Sequence, residues 1–368
     1  MHKKNNFAYS LLVLSLLSTP TLATNKGIRY NGIIIDSLSE KNKSNKLIIS
    51  NQGEVNIDIN VPDNNGVSHN QFLRFNTRKG ITVQLNNDSK QNKNMLTLGS
   101  QSAKLIINQV NSTEKTNLHG LLEIKGSPAK IVIVNPNGIS CNNCQFSNTT
   151  GVDLVAGKMN YANKKISYQT DKGKIIFTGL GIWGNGRSSI DEKSKFLSNL
   201  TVYAGNVRFN NGAKVNVAKQ FYVIGNVKTK IDAFNNYSNR RSLGLAGEKT
   251  TFTLEKNSQI HANQLRIFTS EGTYLNNNGA ITVAANKEDI GDLSIKADHI
   301  ANKHIIAAYG TIENNKNIIP SSINITTKHL INHQDAGIKA SEGIVTLETY
   351  KGKGYFDINI KKVFPKIN

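Results

Sequence analysis

Two cysteines are the residues whose type and spacing most directly suggest chemistry. Cys141 and Cys144 are three positions apart and are the only cysteines in the 368-residue sequence. Such a pair can form half of a zinc site, a redox-active dithiol or a short disulfide loop. A zinc site would need two further ligands, and the sequence holds no second pair. A redox dithiol would need a helix N-terminus to lower the thiol pKa, whereas the flanking residues have strand and turn character.

Other candidate groups for catalysis or ligand binding give weaker signals. His329 and His333 are four residues apart, but the surrounding sequence has β character and no HExxH motif, so solvated or hydrogen-bonded histidines are favoured over a metal site. Gly181–Arg187 is glycine-rich but follows no βαβ pattern, which favours a loop around Trp183 over nucleotide binding. The 25 acidic residues form no recognisable catalytic pair. We therefore expect no enzymatic activity, no cofactor and no metal.

The N-terminus has the organisation of a Sec-type signal peptide. A basic start at Met1–Lys4 precedes a short apolar run at Tyr9–Leu17, and a small-residue cleavage site ends at Ala23. The apolar run is too short to span a membrane, which takes about 20 residues. We predict cleavage after Ala23 and an exported, soluble mature chain. Export places the two cysteines in an oxidising periplasm, so we predict that they form a local disulfide bond.

The sequence is strongly basic. Its formal net charge of +20 falls to +18 when Lys3 and Lys4 leave with the signal. Such a charge attracts acidic surfaces such as lipopolysaccharide, sulfated glycans, membranes or DNA. The lysines are spread along the chain and not clustered with aromatic residues, so the solvated face of a β structure is favoured over a specific nucleic-acid site.

Asn135-Pro136-Asn137-Gly138 has the composition of a tight turn between two apolar runs. Asparagine suits the first position of a type I turn, proline sets φ at the second and glycine suits the fourth. Pro136 also favours an extended Asn135, so a strand should run directly into the turn. A structural turn at a corner of the fold is sufficient to account for these four residue types, without any functional role.

The rest of the chain predicts short β-strands. Runs of roughly three to six apolar or β-branched residues, bounded by Gly, Asn, Asp or Ser, recur along the mature sequence. A β-sandwich and a β-solenoid both accommodate them. The solenoid is favoured because no helical insert interrupts the strands, and because corner asparagines can stack as ladders. The segments Asn199–Gly205, Asn263–Phe268 and Gly291–Ala297 are also loosely similar. Residues 228–249 are predicted to leave the core as a surface loop.

Five segments resemble, in order, the secretion domain of two-partner-secretion exoproteins, the filamentous haemagglutinin and haemolysin group. They are Gly66–Phe72 (GVSHNQF), Phe75–Asn87, Leu118–Gly126 (LHGLLEIKG), Asn135–Ile139 (NPNGI) and Cys141–Phe146 (CNNCQF). The last is similar to the CDGCGF segment of the haemolysin branch. Several motifs in register over about 90 residues make chance similarity a poor explanation.

One motif departs from the family pattern. The family's upstream Asn-Pro-Asn-Leu corresponds here to Asn92-Lys93-Asn94-Met95, which keeps both asparagines. Loss of the proline is expected to relax this turn. The resemblance implies that the export signal comprises Asn135, Pro136, Asn137, Gly138 and Ile139, together with Asn92 and Asn94.

The resemblance also implies a fold, a partner and a location. The fold is an all-β, right-handed parallel β-helix (β-solenoid) with extra-helical hairpins and an N-terminal cap. The partner is an outer-membrane TpsB-type transporter with periplasmic POTRA domains. We expect a signal peptide over residues 1–23, a secretion domain over 24–275 and continuing β-helix repeats over 276–368. The protein would then be secreted by a Gram-negative bacterium, or displayed on its surface, after passing through the periplasm.

Two functions follow from this resemblance. The first is a non-enzymatic adhesin or haemagglutinin that binds a host cell or an acidic glycan surface. The second is the export module of a haemolysin or contact-dependent toxin. Family members are usually much longer than this chain, so a truncated copy is a third interpretation. A β-helix enzyme acting on polysaccharides is the least favoured, and no specific nucleic-acid partner is expected.

Overall fold

The predicted strands wind into a right-handed parallel β-helix in the computed structural model of the chain. The structure describes residues 29–30, 32–39, 46–49, 54–96, 101–162, 165–170, 173–182, 197–225, 228–232, 249–269, 272–287, 289–313, 317–349 and 355–357. The predicted signal peptide and Trp183 lie outside these ranges. Within them, no helix has the length and apolar character needed to cross a membrane.

The elements follow one another with short connections. The first half of the chain contains β1 (Arg29–Tyr30), β2 (Ile33–Ile35), β3 (Lys46–Ile49), β4 (Glu54–Asp58), β5 (Val67–Phe75), β6 (Thr82–Asn87), α1 (Lys93–Leu96), β7 (Leu105–Val110), β8 (Thr116–Leu118), β9 (Leu121–Gly126), β10 (Ala129–Val134), β11 (Ile139–Asn142), β12 (Gln145–Ser147), β13 (Thr149–Val155), β14 (Lys158–Ala162), β15 (Lys165–Gln169) and β16 (Lys174–Thr178). The second half contains β17 (Leu197–Tyr203), β18 (Asn206–Phe209), β19 (Lys214–Ile224), β20 (Lys228–Asp232), β21 (Thr251–Leu254), β22 (Gln259–Ala262), β23 (Gln264–Phe268), β24 (Tyr274–Asn277), β25 (Ala280–Ala284), β26 (Gly291–Lys296), β27 (His299–Asn302), β28 (Ile305–Tyr309), β29 (Thr311–Glu313), β30 (Asn317–Ile319), β31 (Ser321–Thr327), β32 (His329–Asn332), β33 (Gly337–Ser341), β34 (Gly343–Thr349) and β35 (Tyr355–Asp357).

From β7 onward the described strands follow three faces in a fixed order. Between β16 and β17 the third face is represented, among the described residues, by Ile182, which forms a parallel bridge to Val215. Face 1 contains β5, β7, β10, β13, β17, the second half of β19, β23, β26, β31 and β34. Face 2 contains β8, β11, β16, β18, β21, β24, β27, β32 and β35. Face 3 contains β4, β6, β9, β12, the first half of β19, β22, β25, β28 and β33. Strands of neighbouring coils pair in parallel on each face, which excludes a sandwich of antiparallel sheets.

The N-terminal end of the helix is covered by antiparallel strands. β2 pairs with β5 at the edge of face 1, and β3 pairs with β4 at the edge of face 3. Two further units lie outside the coils, the sheet β14–β15–β20 and the hairpin β29–β30. The expected cap and extra-helical hairpins are therefore present.

Alternate side chains of each strand point inward and stack in columns. One column on face 1 joins strands from β10 to β26 through their register and contains Ile131, Val152, Leu200, Phe221, Leu265 and Leu293. All six side chains are at most 1% exposed. The three similar segments noted in the sequence are β17, β23 and β26 with their flanking residues, so their likeness reflects equivalent positions on face 1.

A ladder of buried asparagines stacks inside face 2. Asn277 donates through Nδ2 to Asn302 Oδ1 at 2.8 Å, and Asn302 Nδ2 donates to Asn332 Oδ1 at 2.6 Å. The three residues end β24, β27 and β32 in matching register. Asn277 and Asn302 therefore each donate to the asparagine of the next coil, whereas Asn332 donates to the Ala336 carbonyl of its own coil. The buried amides stack as the ladder expected of corner asparagines, with their polar groups hydrogen-bonded.

A second apolar cluster covers part of face 1 from the outside. Ile166 and Tyr168 of β15 pack on outward residues of face 1 that include Val134, Val155 and Tyr203. The rings of Tyr168 and Tyr203 are 4.7 Å apart. The predicted surface loop at 228–249 begins as the strand β20, which pairs with β15. It is a strand because the edge of β15 supplies hydrogen-bond partners for its backbone groups. Residues 233–248 lie outside the described ranges.

Candidate functional site

The Asn135–Gly138 turn forms the corner between β10 on face 1 and β11 on face 2. Asn135 is fully buried, and its Oδ1 accepts the backbone N–H of Asn137 at 2.8 Å. The Gly138 N–H donates to the Asn135 carbonyl at 3.2 Å, which closes the turn. Gly138 has φ +105°, and a Cβ there would lie 2.8 Å from the Lys174 carbonyl oxygen. Glycine is required here by both conformation and space.

The two asparagine amides of this turn tie it to the preceding coil. Asn135 Nδ2 donates to the Glu114 carbonyl and to Thr116 Oγ1, both at 2.9 Å. Asn137 Nδ2 donates to the Ser112 carbonyl at 2.7 Å. Pro136 makes the exposed tip of the turn. The corner therefore presents a fixed pyrrolidine ring on a hydrogen-bonded base.

Ile139, the last residue of the motif, has an interior role. It begins β11, is 2% exposed and pairs in register with Thr116 and Ile175. Its side chain belongs to the apolar interior of the helix. Ile139 thus anchors the C-terminal end of the exposed turn in the interior of the helix.

The altered Asn92–Met95 segment forms a second turn with the same internal bond. Asn92 Oδ1 accepts the backbone N–H of Asn94 at 2.9 Å, as an N-cap side chain does at the start of α1. Asn92 Nδ2 donates to the carbonyls of Ile59 and Asn86, and Asn94 Nδ2 donates to those of Asp58 and Ile59. Both asparagines are buried.

The two substituted positions fit this turn. Lys93 is exposed and occupies the first position of α1, where the fixed φ of proline is tolerated but not required. Met95 is fully buried in the apolar interior, as a leucine would be. The turn keeps its hydrogen bonds without the proline that the family pattern contains.

The structure does not bring the two turns together. α1 precedes β7 at the corner between faces 3 and 1, whereas Asn135–Gly138 follows β10 at the corner between faces 1 and 2. β7 and β10 are adjacent strands of face 1. The turns therefore occupy neighbouring coils at different corners.

The Asn86–Asn87 pair contributes to the same region. Asn87 is fully buried, donates through Nδ2 to the carbonyls of Ala103 and Ser127, and accepts the Ala103 N–H at 2.6 Å. Asn86 Nδ2 donates to Asp58 Oδ1 at 2.7 Å. This pair ends the Phe75–Asn87 segment of the family resemblance, which implies no role for it. Two adjacent asparagines at the end of an apolar strand are the signal that could have identified it.

Cys141 and Cys144 form a disulfide bond at the corner between β11 and β12. Their Cα atoms are 5.4 Å apart, and both residues are at most 1% exposed. Asn143, between them, has φ +53°, and its Oδ1 accepts the Leu180 N–H at 2.6 Å. The disulfide bond therefore crosslinks this corner, and its sulfur atoms lie in the interior of the helix.

The histidines lie elsewhere on the molecule. His329 stacks on His299 with ring centroids 4.8 Å apart, and His299 stacks on Tyr274 at 4.6 Å. Burial and the neighbouring His329 lower the pKa of His299. The backbone N–H of His333 donates to the Asn302 carbonyl at 2.9 Å. Among the described residues, no cluster of three or more His, Cys, Asp or Glu could hold a metal ion.

Comparisons with known proteins give a consistent result. The model of a family described as the TPS secretion domain matches residues 31–295. The Toxin CdiA of Yersinia pestis is 26% identical over 278 residues, which is 72% of this chain and 8% of that protein. The Hemolysin of Serratia marcescens is 40% identical over 109 residues, 27% of this chain and 7% of that protein.

A solved secretion domain of filamentous hemagglutinin has a similar fold. It aligns with a TM-score of 0.55 and 17% identity, covering 91% of this chain and all of that domain. At this identity the similarity concerns the β-helix fold alone. The chain spans less than a tenth of the length of the two curated relatives, so their activities are those of much longer proteins.

Proposed function

Because the chain belongs to the TPS (two-partner secretion) secretion-domain family, we propose that it is the export module of a secreted exoprotein. A TpsB-type outer-membrane transporter would recognise it in the periplasm through POTRA domains. The observation that carries this assignment is the Asn135–Gly138 corner. There the exposed Pro136 is held in place by hydrogen bonds of the buried Asn135 side chain. A recognition element needs such a preorganised surface.

The fold offers a physical reason for export without ATP. In a β-helix each coil contacts mainly its neighbours, so folding can begin at one end and propagate. The antiparallel cap of β2 and β3 supplies a template at the N-terminal end. Coils that stack on this template outside the cell would oppose return of the chain. The Cys141–Cys144 loop is short enough to pass through a pore in an unfolded chain, so replacing both cysteines with serine should leave some secretion.

Export measured with a co-expressed TpsB-type transporter tests the recognition role. Pro136→Lys changes the exposed tip while leaving the asparagine bonds in place, and copies the sequence of the Asn92 turn. Asn137→Ala removes the bond to Ser112. Both variants should lower the fraction of protein in the medium several-fold while the purified proteins stay folded.

A matched control separates recognition from stability. Asn278→Ala removes a half-buried corner asparagine that donates to the Leu254 carbonyl of the preceding coil. This variant should be exported normally. Equal loss of export from Asn278→Ala and the two turn variants would show that stability alone matters, and would contradict a signal at Asn135–Gly138.

For the exoprotein as a whole, a non-enzymatic adhesin or haemagglutinin is the first candidate. The basic composition supports it, because the formal net charge of +18 that remains after the predicted signal cleavage favours contact with a host cell or acidic glycan surface. Carriage of a haemolysin or contact-dependent toxin is the second, supported by similarity to proteins named Hemolysin and Toxin CdiA. Red-cell binding without lysis would favour the adhesin; lysis would favour the haemolysin.

The domain limits belong to the same proposal. We propose a signal peptide over residues 1–23, a secretion domain over 24–275 and continuing repeats over 276–368. Residue 275 lies within β24, which pairs with β21 and β27 on either side. A functional limit near this point would fall within an uninterrupted stack of coils, and stepwise C-terminal truncation tested for export would locate it.

A further inference from the structure

A polar groove lies on the outer surface of face 1, on four successive strands. It has a volume of about 210 Å³ and crosses β10, β13, β17 and β19. Its polar lining includes Lys130, Asp153, Asn199, Thr201, Gln220 and Tyr222. This volume is smaller than the range of about 300–1,000 Å³ typical of drug-sized ligands.

The depression exists because one outward position carries no side chain. Gly151 follows Lys130 in the register of face 1, and Asn199 lies on its other side. A Cβ at Gly151 would be 3.2 Å from the Asn199 Cβ, so any larger residue would crowd the groove. The apolar cluster under β15 covers Val155 and Tyr203 farther along the same strands. With respect to the described residues, the groove is therefore the part of this face left uncovered beside the extra-helical sheet.

The two charges in the groove neutralise each other. Lys130 Nζ lies 2.8 Å from Asp153 Oδ2, and the Asp153 side chain is only 4% exposed. Of the described residues that line the groove, these are the two with formal charge. A metal cation would meet the Lys130 ammonium, and an anion would meet the Asp153 carboxylate. The pairing therefore disfavours charged ligands of either sign.

The neutral groups in the groove are arranged as hydrogen-bond acceptors. Asn199 Nδ2 already donates to the Thr150 carbonyl at 3.0 Å, and Gln220 Nε2 donates to Gln264 Oε1 at 3.2 Å. The amide oxygens of both residues can then accept bonds from a ligand. The Thr201 hydroxyl can accept or donate. Several acceptors around a small neutral space suit a ligand that carries several hydroxyl groups.

We propose that this groove binds a single neutral sugar ring, with Asn199, Gln220 and Thr201 accepting hydrogen bonds from its hydroxyl groups. Tyr222 forms a fixed wall of the site, because the Arg266 guanidinium lies over its ring at 5.6 Å. Arg266 is itself paired with Asp292 at 3.5 Å. The site is independent of the proposed export role, because neither Asn135–Gly138 nor α1 contributes to it.

Ligand-observed NMR on the purified full chain tests this site. Galactose, mannose and N-acetylglucosamine serve as neutral probes, and N-acetylneuraminic acid as a charged one. At least one neutral sugar should bind saturably, with a dissociation constant on the order of 1 mM. Asn199→Ala, Gln220→Ala and the shape-preserving Thr201→Val should each weaken binding at least several-fold. Asn324→Ala, an exposed asparagine of β31 on the same face, should leave it unchanged.

A charge variant makes the test more specific. Asp153→Asn would leave Lys130 uncompensated, so N-acetylneuraminic acid should gain affinity relative to galactose. Absence of saturable binding by all three neutral sugars would overturn the proposal, as would tighter binding of N-acetylneuraminic acid by the unchanged protein. Equal weakening by Asn324→Ala would place the contact elsewhere and would also overturn it. Export of these variants is a separate measurement whose result does not bear on the groove.

Discussion

At the scale of single residues, asparagine carries out the capping that a three-sided helix needs at its corners. Asn135 and Asn92 each accept a backbone N–H two residues ahead and donate to backbone carbonyls of an earlier segment. In the ladder, Asn302 accepts a hydrogen bond from the Asn277 side chain and donates one to the Asn332 side chain. A buried amide can bond in both directions, so one residue type satisfies both donors and acceptors.

Stability of the C-terminal coils is predicted to fall at acidic pH. Burial lowers the pKa of His261, and burial together with His329 lowers that of His299. The unfolded chain therefore binds more protons below about pH 6.5, so folding stability decreases as pH falls from 7 toward 5. The melting temperature measured across this range should decrease, and His299→Gln should flatten the dependence. The exposed His304 provides the matched control: if His304→Gln flattened the profile equally, the stacked pair would not be the cause.

At the scale of elements, the single turn α1 shows how a motif can change its sequence and keep its geometry. The N-cap bond from Asn94 to Asn92 fixes the turn, and Met95 anchors it in the interior. The first position of a helical turn tolerates many residues, because its N–H has no intrahelical partner. Lys93 is one of them.

Restoring proline at this position should stabilise the protein. Lys93→Pro would reduce the freedom of the unfolded chain at a site whose conformation proline can adopt, with a gain of about 0.4–1 kcal/mol. Denaturant unfolding measures this gain. Lys93→Ala removes the same side chain without the ring and should change stability less. A greater loss of stability in Lys93→Pro than in Lys93→Ala would show that the backbone at residue 93 does not accommodate the proline ring.

Removal of the disulfide should have a modest cost. The chain-entropy relation for a loop of four residues gives about 2 kcal/mol. The double variant Cys141→Ala/Cys144→Ala should therefore stay folded, with a correspondingly lower midpoint of denaturation. Reduction of the unchanged protein under denaturing conditions gives the comparison. A loss of cooperative folding would mean that the corner between β11 and β12 depends on the bond far more than its length predicts.

The sequence indicated these elements unevenly. The corner at Asn135–Gly138 and the Cys141–Cys144 loop could be predicted because both depend on local turn chemistry. β20 could not, since its position depends on pairing with β15, some sixty residues earlier in the chain. The continuous strand β19 was also hidden, because it crosses from face 3 to face 1 without a Gly or Pro to mark the corner. Whether the two asparagine turns adjoin depended on the winding of the coils.

At the scale of the whole molecule, stability is distributed along the helix axis. The interior columns connect each coil to its two neighbours, and the described contacts between distant coils are correspondingly sparse. Such a protein behaves as a one-dimensional array in which a local defect weakens nearby coils most. The molecule is therefore expected to depart from two-state unfolding when a central coil is weakened.

Leu293→Ala tests this behaviour. Leu293 is fully buried between Leu265 and Ile323 of the adjoining coils, and its truncation should cost about 2–5 kcal/mol. Amide hydrogen exchange should increase most in β23, β26 and β31 and least in β7 and β10. Uniform loss of protection along the whole chain would show instead that the helix unfolds as one unit. The exposed neighbour Asn324→Ala is the control.

The spacing of the asparagine ladder has a mechanical consequence. Asn277 and Asn302 occupy equivalent positions 25 residues apart. Stretched out, that length of chain covers roughly 80 Å, yet once folded it advances the helix by only about 4.8 Å. At about 0.05–0.15 kcal/mol per residue, one coil releases about 1–4 kcal/mol on folding, which over 80 Å amounts to a tension on the order of 1 piconewton. A chain that folds as it leaves a pore would thus pull the following, still unfolded segment outward, one coil at a time.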